Sequence, residues 1–317
     1  MQKFLIIQTA FIGDVILATG LVESIRLANA SAQIDVLVRK GNESLFIGHP
    51  YIHNVITWDK KKNKIAGLAS VIRQARKSNY DYLINLHRFF SSGLITAFSK
   101  AKQKRGFDKN PLSFLFSKKY KHVIGEGHET ERNFELVKDI PGISYSAPRL
   151  YPSPHAMQKE IEPQSYVCFA PASVWFTKQL PVEKWIALAN KTSPLLTIFL
   201  LGAPSDRALC EKITAQSTHP SIKILCGELS LLQSAALIQQ AHMNYVNDSA
   251  PLHLASSVNA PVTAFFCSTV PSFGFGPLSE VAMIKQTTEN LSCRPCGLHG
   301  YKKCPLGHFK CGFTIEV

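Results

Sequence analysis

Four short stretches of the chain combine polar side chains with the turn that follows an apolar segment, and their residue types suit a phosphorylated ligand. In VNDSAPLHLA (246–255), Asp248 or Ser249 can cap a helix that carries Pro251 in its first turn. Capping does not call for His253. A helix N-terminus offers free N–H groups and the positive end of a dipole to a diphosphate, and a histidine there can donate to the same anion. In PASVWFTKQLP, after YVCFA, Lys178 is a compact cation suited to a phosphate, and the hydroxyls of Ser173 and Thr177 can donate to its oxygens. A surface lysine ahead of a helix is the plainer alternative. In APSDRALCEKI, Ser205 or Asp206 can cap a helix, and Asp206 can instead accept from a ribose hydroxyl. In QTAFIGDVILATG, Asp14 follows a buried-type strand and Gly13, where it can act as a general base or as an N-cap.

The elements that must position these residues alternate. FLIIQ (4–8) reads as a buried parallel strand, followed by a turn and the helix-like VILATGLVESIRLANA, then by IDVLVR, NVITW and YDYLINL. A Pro/Ser-containing stretch at 146–165 reads as a linker. Beyond it the alternation restarts with YVCFAPAS, LLTIFLLG, IKILCG, HMNYVND and APVTAFF. The pattern predicts an α/β protein with two Rossmann-like domains facing a cleft, 1–150 and 151–317, and ligands beyond the carboxyl ends of the strands. The opening lysine and apolar run could pass for a signal peptide, but Gln8 and Asp14 interrupt it and a buried strand explains it better. No apolar run approaches the ~20 residues needed to span a bilayer, which predicts a soluble or peripheral protein.

Thirty-five Lys and Arg against twenty-two Asp and Glu give a formal charge of +13, favouring polyanions, phosphorylated substrates or an acidic membrane surface. The runs KKKNK (60–64), RQARK, KAKQKR and KKYKH make the first half the more basic one, although each can be a solvated face. Aromatics among basic residues in HRFFSSG and KNPLSFLFSKKYKH keep open a non-catalytic polyanion-binding protein, against which stands the lack of any nucleic-acid motif. No G-x-G-x-x-G follows a strand, which disfavours a dinucleotide oxidoreductase. The absence of D-x-D argues against a divalent-metal site of the kind that holds a sugar-nucleotide. Cys293, Cys296, Cys304 and Cys311 form C-x2-C-x7-C-x6-C in a tail (293–311) that also holds His299 and His308. A structural zinc or iron–sulfur site, disulfides and reduced thiols are all open there.

Together, GDVILATGLVESIR, PASVWFTKQLPVEKW, LLGAPSDRAL and above all NDSAPLHLASSVNAPVTAFFCSTVPSFGFGP resemble the ADP-heptose:lipopolysaccharide heptosyltransferases, glycosyltransferase family 9. The resemblance implies a GT-B fold, with a nucleotide-sugar donor on the second domain and the acceptor on the first. It implies inverting, metal-independent transfer, with Asp14 as the base and Lys178 on the donor phosphates. Asp248, Ser249 and His253 would bind the diphosphate and its neighbours, Asp248 holding the loop or a sugar hydroxyl, with Ser173, Thr177 and Asp206 also on the donor. For an anionic glycolipid acceptor, Arg88, Lys104, Arg105, His128 and Arg132 are the candidate contacts. The resemblance further implies a cytoplasmic enzyme in peripheral contact with the inner membrane, no cofactor for transfer, and a tail outside the transfer chemistry. A UDP- or GDP-hexose donor is the alternative within the same fold.

Overall fold

Apolar runs become central strands in the computed structural model, which describes residues 1–60, 64–153 and 165–317. The chain divides into two units, Met1–Tyr151 and Pro152–Val317. In the first, the order is β1 (Lys3–Ile7), α1 (Ile12–Ala28), β2 (Gln33–Arg39), β3 (Ile52–Trp58), α2 (Lys64–Lys77), β4 (Tyr80–Asn85), α3 (Phe90–Phe98), β5 (Ala101–Phe107), β6 (Lys118–Tyr120) and α4 (Glu129–Glu135). The strands form one parallel sheet in the order β3-β2-β1-β4-β5-β6. Phe4 to Ile7 of β1 are almost fully buried, as a strand covered on both faces requires, and α1 supplies part of that cover through Val15, Ile16, Leu17, Leu21 and Ile25.

The second unit runs β7 (Tyr166–Ala170), α5 (Val182–Lys191), β8 (Thr197–Leu200), α6 (Arg207–Gln216), β9 (Ile222–Ile224), α7 (Leu231–Gln240), β10 (Met243–Asn247), α8 (Ala250–Ser257), β11 (Val262–Phe266), β12 (Ala282–Gln286) and α9 (Lys310–Phe313). Its parallel sheet has the order β12-β11-β10-β7-β8-β9. Trp185 of α5 centres the core, its ring 5.4 Å from both Phe169 and Phe265. Renumbered from its own first strand, this sheet repeats the order of the first. Each unit therefore has the doubly wound arrangement, with its direction reversal between β1 and β4 or between β7 and β10, where ligands bind in such sheets.

Three strands carry no strand signal in the sequence. β5 and β6 lie in what read as basic runs, and β12 is an exposed edge strand. The stretch read as a linker is partly packed: Ser146 N–H donates to Ser24 Oγ (3.0 Å), Arg149 N–H to Thr19 Oγ1 (2.9 Å) and the Tyr151 hydroxyl to Glu23 Oε2 (2.9 Å). Residues 154–164 of it, and 61–63 of the KKKNK run, lie outside the described residues. Among the described residues no helix is long and apolar enough to cross a membrane.

Candidate active site

The reversal point of the second sheet gathers the first constellation. β7 ends at Ala170, and the loop beyond it makes a short 3-10 turn, Phe176–Lys178. β10 ends at Asn247 and leads into α8. Asn247, which the motif reading passed over, ties the two together: its Nδ2 donates to Pro171 O (2.8 Å) and its Oδ1 accepts from Leu180 N–H (2.9 Å). Its place at the last residue of a buried strand was the available signal. Lys178 Nζ then lies 2.6 Å from Asp248 Oδ2, with the two side chains 15% and 7% exposed. The Thr269 hydroxyl donates to the same oxygen, also at 2.6 Å. With Lys178 and Thr269 both on one of its oxygens and Ser249 at the N-cap position, Asp248 holds the lysine rather than capping the helix. Ser249 occupies the N-cap position without a capping bond from its side chain, and its hydroxyl turns to Asn247 O at 3.4 Å. His253 is buried one turn into α8, with its ring edge-on to Phe275. A cation held at the start of a helix can take up an anion by exchanging a carboxylate partner for a phosphate.

The remaining second-unit candidates are placed differently. Thr177 is 1% exposed, and its hydroxyl is taken up by Tyr301 N–H (2.7 Å) and Ser268 Oγ (3.0 Å), so it braces the loop and does not face a ligand. Ser173 Oγ turns back toward Trp175 N–H at 3.5 Å. Asp206 closes its own 3-10 turn, accepting from Ala203 N–H at 2.8 Å and from Ser205 Oγ at 3.3 Å. In the tail all four cysteines are free thiols. Among the described residues no three His, Cys, Asp or Glu side chains gather as a group able to hold a metal ion. Cys311 is drawn into the apolar core, and the Cys296 thiol turns to Cys293 O at 3.3 Å. Burial pushes Cys311 up to about 11, and the neighbouring thiols of Cys296, Cys293 and Cys304 add to the rise.

At the reversal point of the first sheet, Asp14 sits in the first turn of α1, whose N-cap position is taken by Phe11. An acidic residue there is favoured by the helix dipole. Beyond β1, β3 and β4 lies a hydrogen-bonded chain that spans too many residues to show in the sequence. Lys60 Nζ donates to Thr9 O (2.8 Å) and Thr9 Oγ1 (3.0 Å), and Thr9 Oγ1 lies 3.1 Å from His87 Nδ1. With Lys60 donating, the Thr9 proton goes to Nδ1, leaving the imidazole proton on Nε2. Burial, with Arg39 nearby, lowers Lys60 to about 8. Burial, then Lys60 and Arg88, lowers His87 to about 3.

Of the five basic residues expected at an acceptor, four are engaged in holding the fold. Arg105 is 3% exposed and donates to Asp139 Oδ1 (2.6 Å), Leu136 O (3.2 Å) and Gln103 Oε1 (2.7 Å). Arg132 is 5% exposed, paired with Glu129 at 2.9 Å and donating to Gly127 O at 2.8 Å. Lys104 Nζ donates to Ala97 O (2.6 Å) in the last turn of α3. His128 is the N-cap of α4, accepting from Thr130 N–H at 3.2 Å. Sequence charge alone does not separate such struts from solvated cations, least of all for Arg105, whose partners Leu136 and Asp139 lie more than thirty residues away. Arg88 is half-buried in the loop after β4.

Comparison with known proteins bears on the fold and the family. The chain is 25% identical over 277 residues to "Lipopolysaccharide heptosyltransferase 3" of Escherichia coli, covering 82% of each chain. Its fold resembles that of a glycosyl transferase family 9 protein from Veillonella parvula, with a TM-score of 0.80 at 21% identity over 89% of this chain and 85% of that one. It also resembles E. coli heptosyltransferase WaaC solved with ADP-2-deoxy-2-fluoro heptose, with a TM-score of 0.72 at 20% identity over 90% and 93%. Two Rossmann-like units of this kind constitute the GT-B fold. The model of the family "Glycosyltransferase family 9 (heptosyltransferase)" matches residues 68–302. The chain belongs to glycosyltransferase family 9.

Proposed function

We propose that the protein transfers a heptose or related sugar from an ADP-sugar to a hydroxyl of a lipopolysaccharide core or similar anionic glycolipid, with inversion and without a metal ion. The observation that carries this reading is the Lys178–Asp248 pair at the start of α8, at the sheet's reversal point. The named relative acts on lipopolysaccharide, and the solved WaaC holds an ADP-heptose analogue. In this reading residues 151–317 bind the donor and 1–150 the acceptor. Asp14 takes the proton of the acceptor hydroxyl as its oxygen bonds to the anomeric carbon. The bond from that carbon to the diphosphate breaks, and Lys178 with the α8 N-terminus takes up the charge of the departing ADP. His253 and Ser249 add donors to the same end, while Arg88 and Lys60 meet the acceptor's anionic groups. The work takes place at the cytoplasmic face of the inner membrane, in peripheral contact with it.

Thermal unfolding with ADP, UDP, GDP and their sugar conjugates tests the donor. ADP at a hundredfold excess over its Kd adds about 2.7 kcal/mol of stability. A response to UDP or GDP alone moves the assignment to a hexose donor, and no response to any nucleotide sinks it.

A further inference from the structure

We propose that the C-terminal tail positions the donor site, through two clamps that meet on the Asp248 carboxylate. This rests on the reading of Lys178 and Asp248 as donor-binding and adds residues that no motif marks. The first clamp is Gly300–Tyr301. Thr177 N–H donates to Tyr301 O (3.1 Å) and Tyr301 N–H donates to Thr177 Oγ1 (2.7 Å), so the residue beside Lys178 is paired with the tail in both directions. Gly300 has a φ of +74°, and a Cβ there would lie 2.8 Å from Thr177 Oγ1 and 3.1 Å from Lys178 Cγ. Only glycine combines that backbone conformation with so close an approach. The tail backbone is thus packed directly on the stem of the lysine.

The second clamp is Arg294. Its guanidinium donates to Cys267 O (2.7 Å), Thr269 O (2.8 Å), Phe266 O (3.2 Å) and Gln286 Oε1 (2.8 Å). The three carbonyls lie at the end of β11 and just beyond it and fix Thr269, whose hydroxyl bonds Asp248 Oδ2. Lysine, with no planar fork, cannot reproduce a four-acceptor arrangement. Ser268 joins the clamps: its N–H donates to Thr177 O (3.1 Å) and its carbonyl accepts from Cys296 N–H (2.8 Å). Phe309 secures the tail's far end, buried in the core with its ring 5.2 Å from Phe176. Both donors to Asp248 Oδ2 are therefore held by one segment, and Gly300 and Arg294 are positioning residues.

The test compares full-length wild type, Gly300→Ala and Arg294→Lys. Calorimetry with ADP and steady-state kinetics are the first readouts, with circular dichroism to check folding. Each variant should weaken ADP binding and raise the donor KM about tenfold while the acceptor KM stays within twofold, a split that general loosening would not produce. Hydrogen exchange across Phe176–Gln179 reads the clamp without any ligand, and it should quicken in Gly300→Ala. If Gly300→Ala does not fold, Arg294→Lys carries the comparison on the Thr269 side. Folded variants with unchanged ADP affinity and unchanged exchange would overturn the proposal. A wild-type protein that binds no ADP would overturn the donor reading, and exchange would then decide the clamp by itself: faster exchange in Gly300→Ala would uphold it and unchanged exchange would overturn it as well.

Discussion

Lys178 Nζ and Asp248 Oδ2 stand 2.6 Å apart with little access to solvent, and the carboxylate's second donor is Thr269. A withdrawn pair of this kind is costly to break one-sidedly, because the surviving charge keeps its desolvation penalty without its partner. Asp248→Asn should lower the unfolding free energy by about 3 kcal/mol in urea titration. A bound diphosphate returns a counter-charge to Lys178, so saturating ADP should recover much of that loss. Lys178→Met should instead lose most of the ADP-dependent stabilisation. An Asp248→Asn variant as stable as wild type without nucleotide would mean that the pair does not hold the loop.

Asp14 makes the complementary case, since it belongs to the other unit and its proposed task concerns only the acceptor proton. Asp14→Asn keeps the shape and removes the base, so kcat should fall by roughly 10²–10⁴. ADP affinity should remain within twofold. Turnover near the wild-type rate would assign the proton to another group.

What could be read in the sequence was what is local. The strand, turn and helix around Asp248 lie within one short stretch, so composition alone placed that residue at a strand end. Arg105 and β5 were illegible for the opposite reason. The run reads as a solvated basic face until Asp139, far along the chain, neutralises the arginine and Tyr82 lies under its guanidinium. Thr9, Lys60 and His87 each follow a strand, yet only the sheet order makes them neighbours. The role of Gly300 depends on a φ value and on a loop more than a hundred residues earlier, neither of which leaves a mark on the tail itself.

Acid sensitivity should come in part from two buried imidazoles. Burial lowers His49 to about 4, and burial with Lys60 and Arg88 lowers His87 to about 3. Between pH 6.5 and these values the unfolded chain binds protons that the folded chain refuses, so stability falls as pH falls through that window. Each imidazole contributes a slope of up to about 1.4 kcal/mol per pH unit. Glu23, raised by burial, works in the other direction above its ordinary value, where the folded state holds the extra proton. His49→Phe should flatten the dependence between pH 6 and 4.5 by up to that single-proton slope, measured by urea unfolding at several pH values. An identical slope in the variant would show that His49 protonates in the folded protein.

Gly20 lies in α1 where the chain leaving the first unit crosses it, and its substitution sets two known effects against each other. Alanine is favoured over glycine in a helix by about 1 kcal/mol. Its Cβ, however, would sit 2.8 Å from Ser146 O and 3.4 Å from Pro148 N, and these are backbone atoms with no flexible end to swing away. That crossing segment is also pinned on either side, by Ser146 N–H to Ser24 Oγ and by Arg149 N–H to Thr19 Oγ1. Overpacking of this kind costs about 1–3 kcal/mol, so steric strain should exceed the helix gain. Gly20→Ala should therefore shift the urea midpoint downward with an unchanged m-value. A midpoint at or above that of wild type would show that residues 146–148 can move off the helix at little cost.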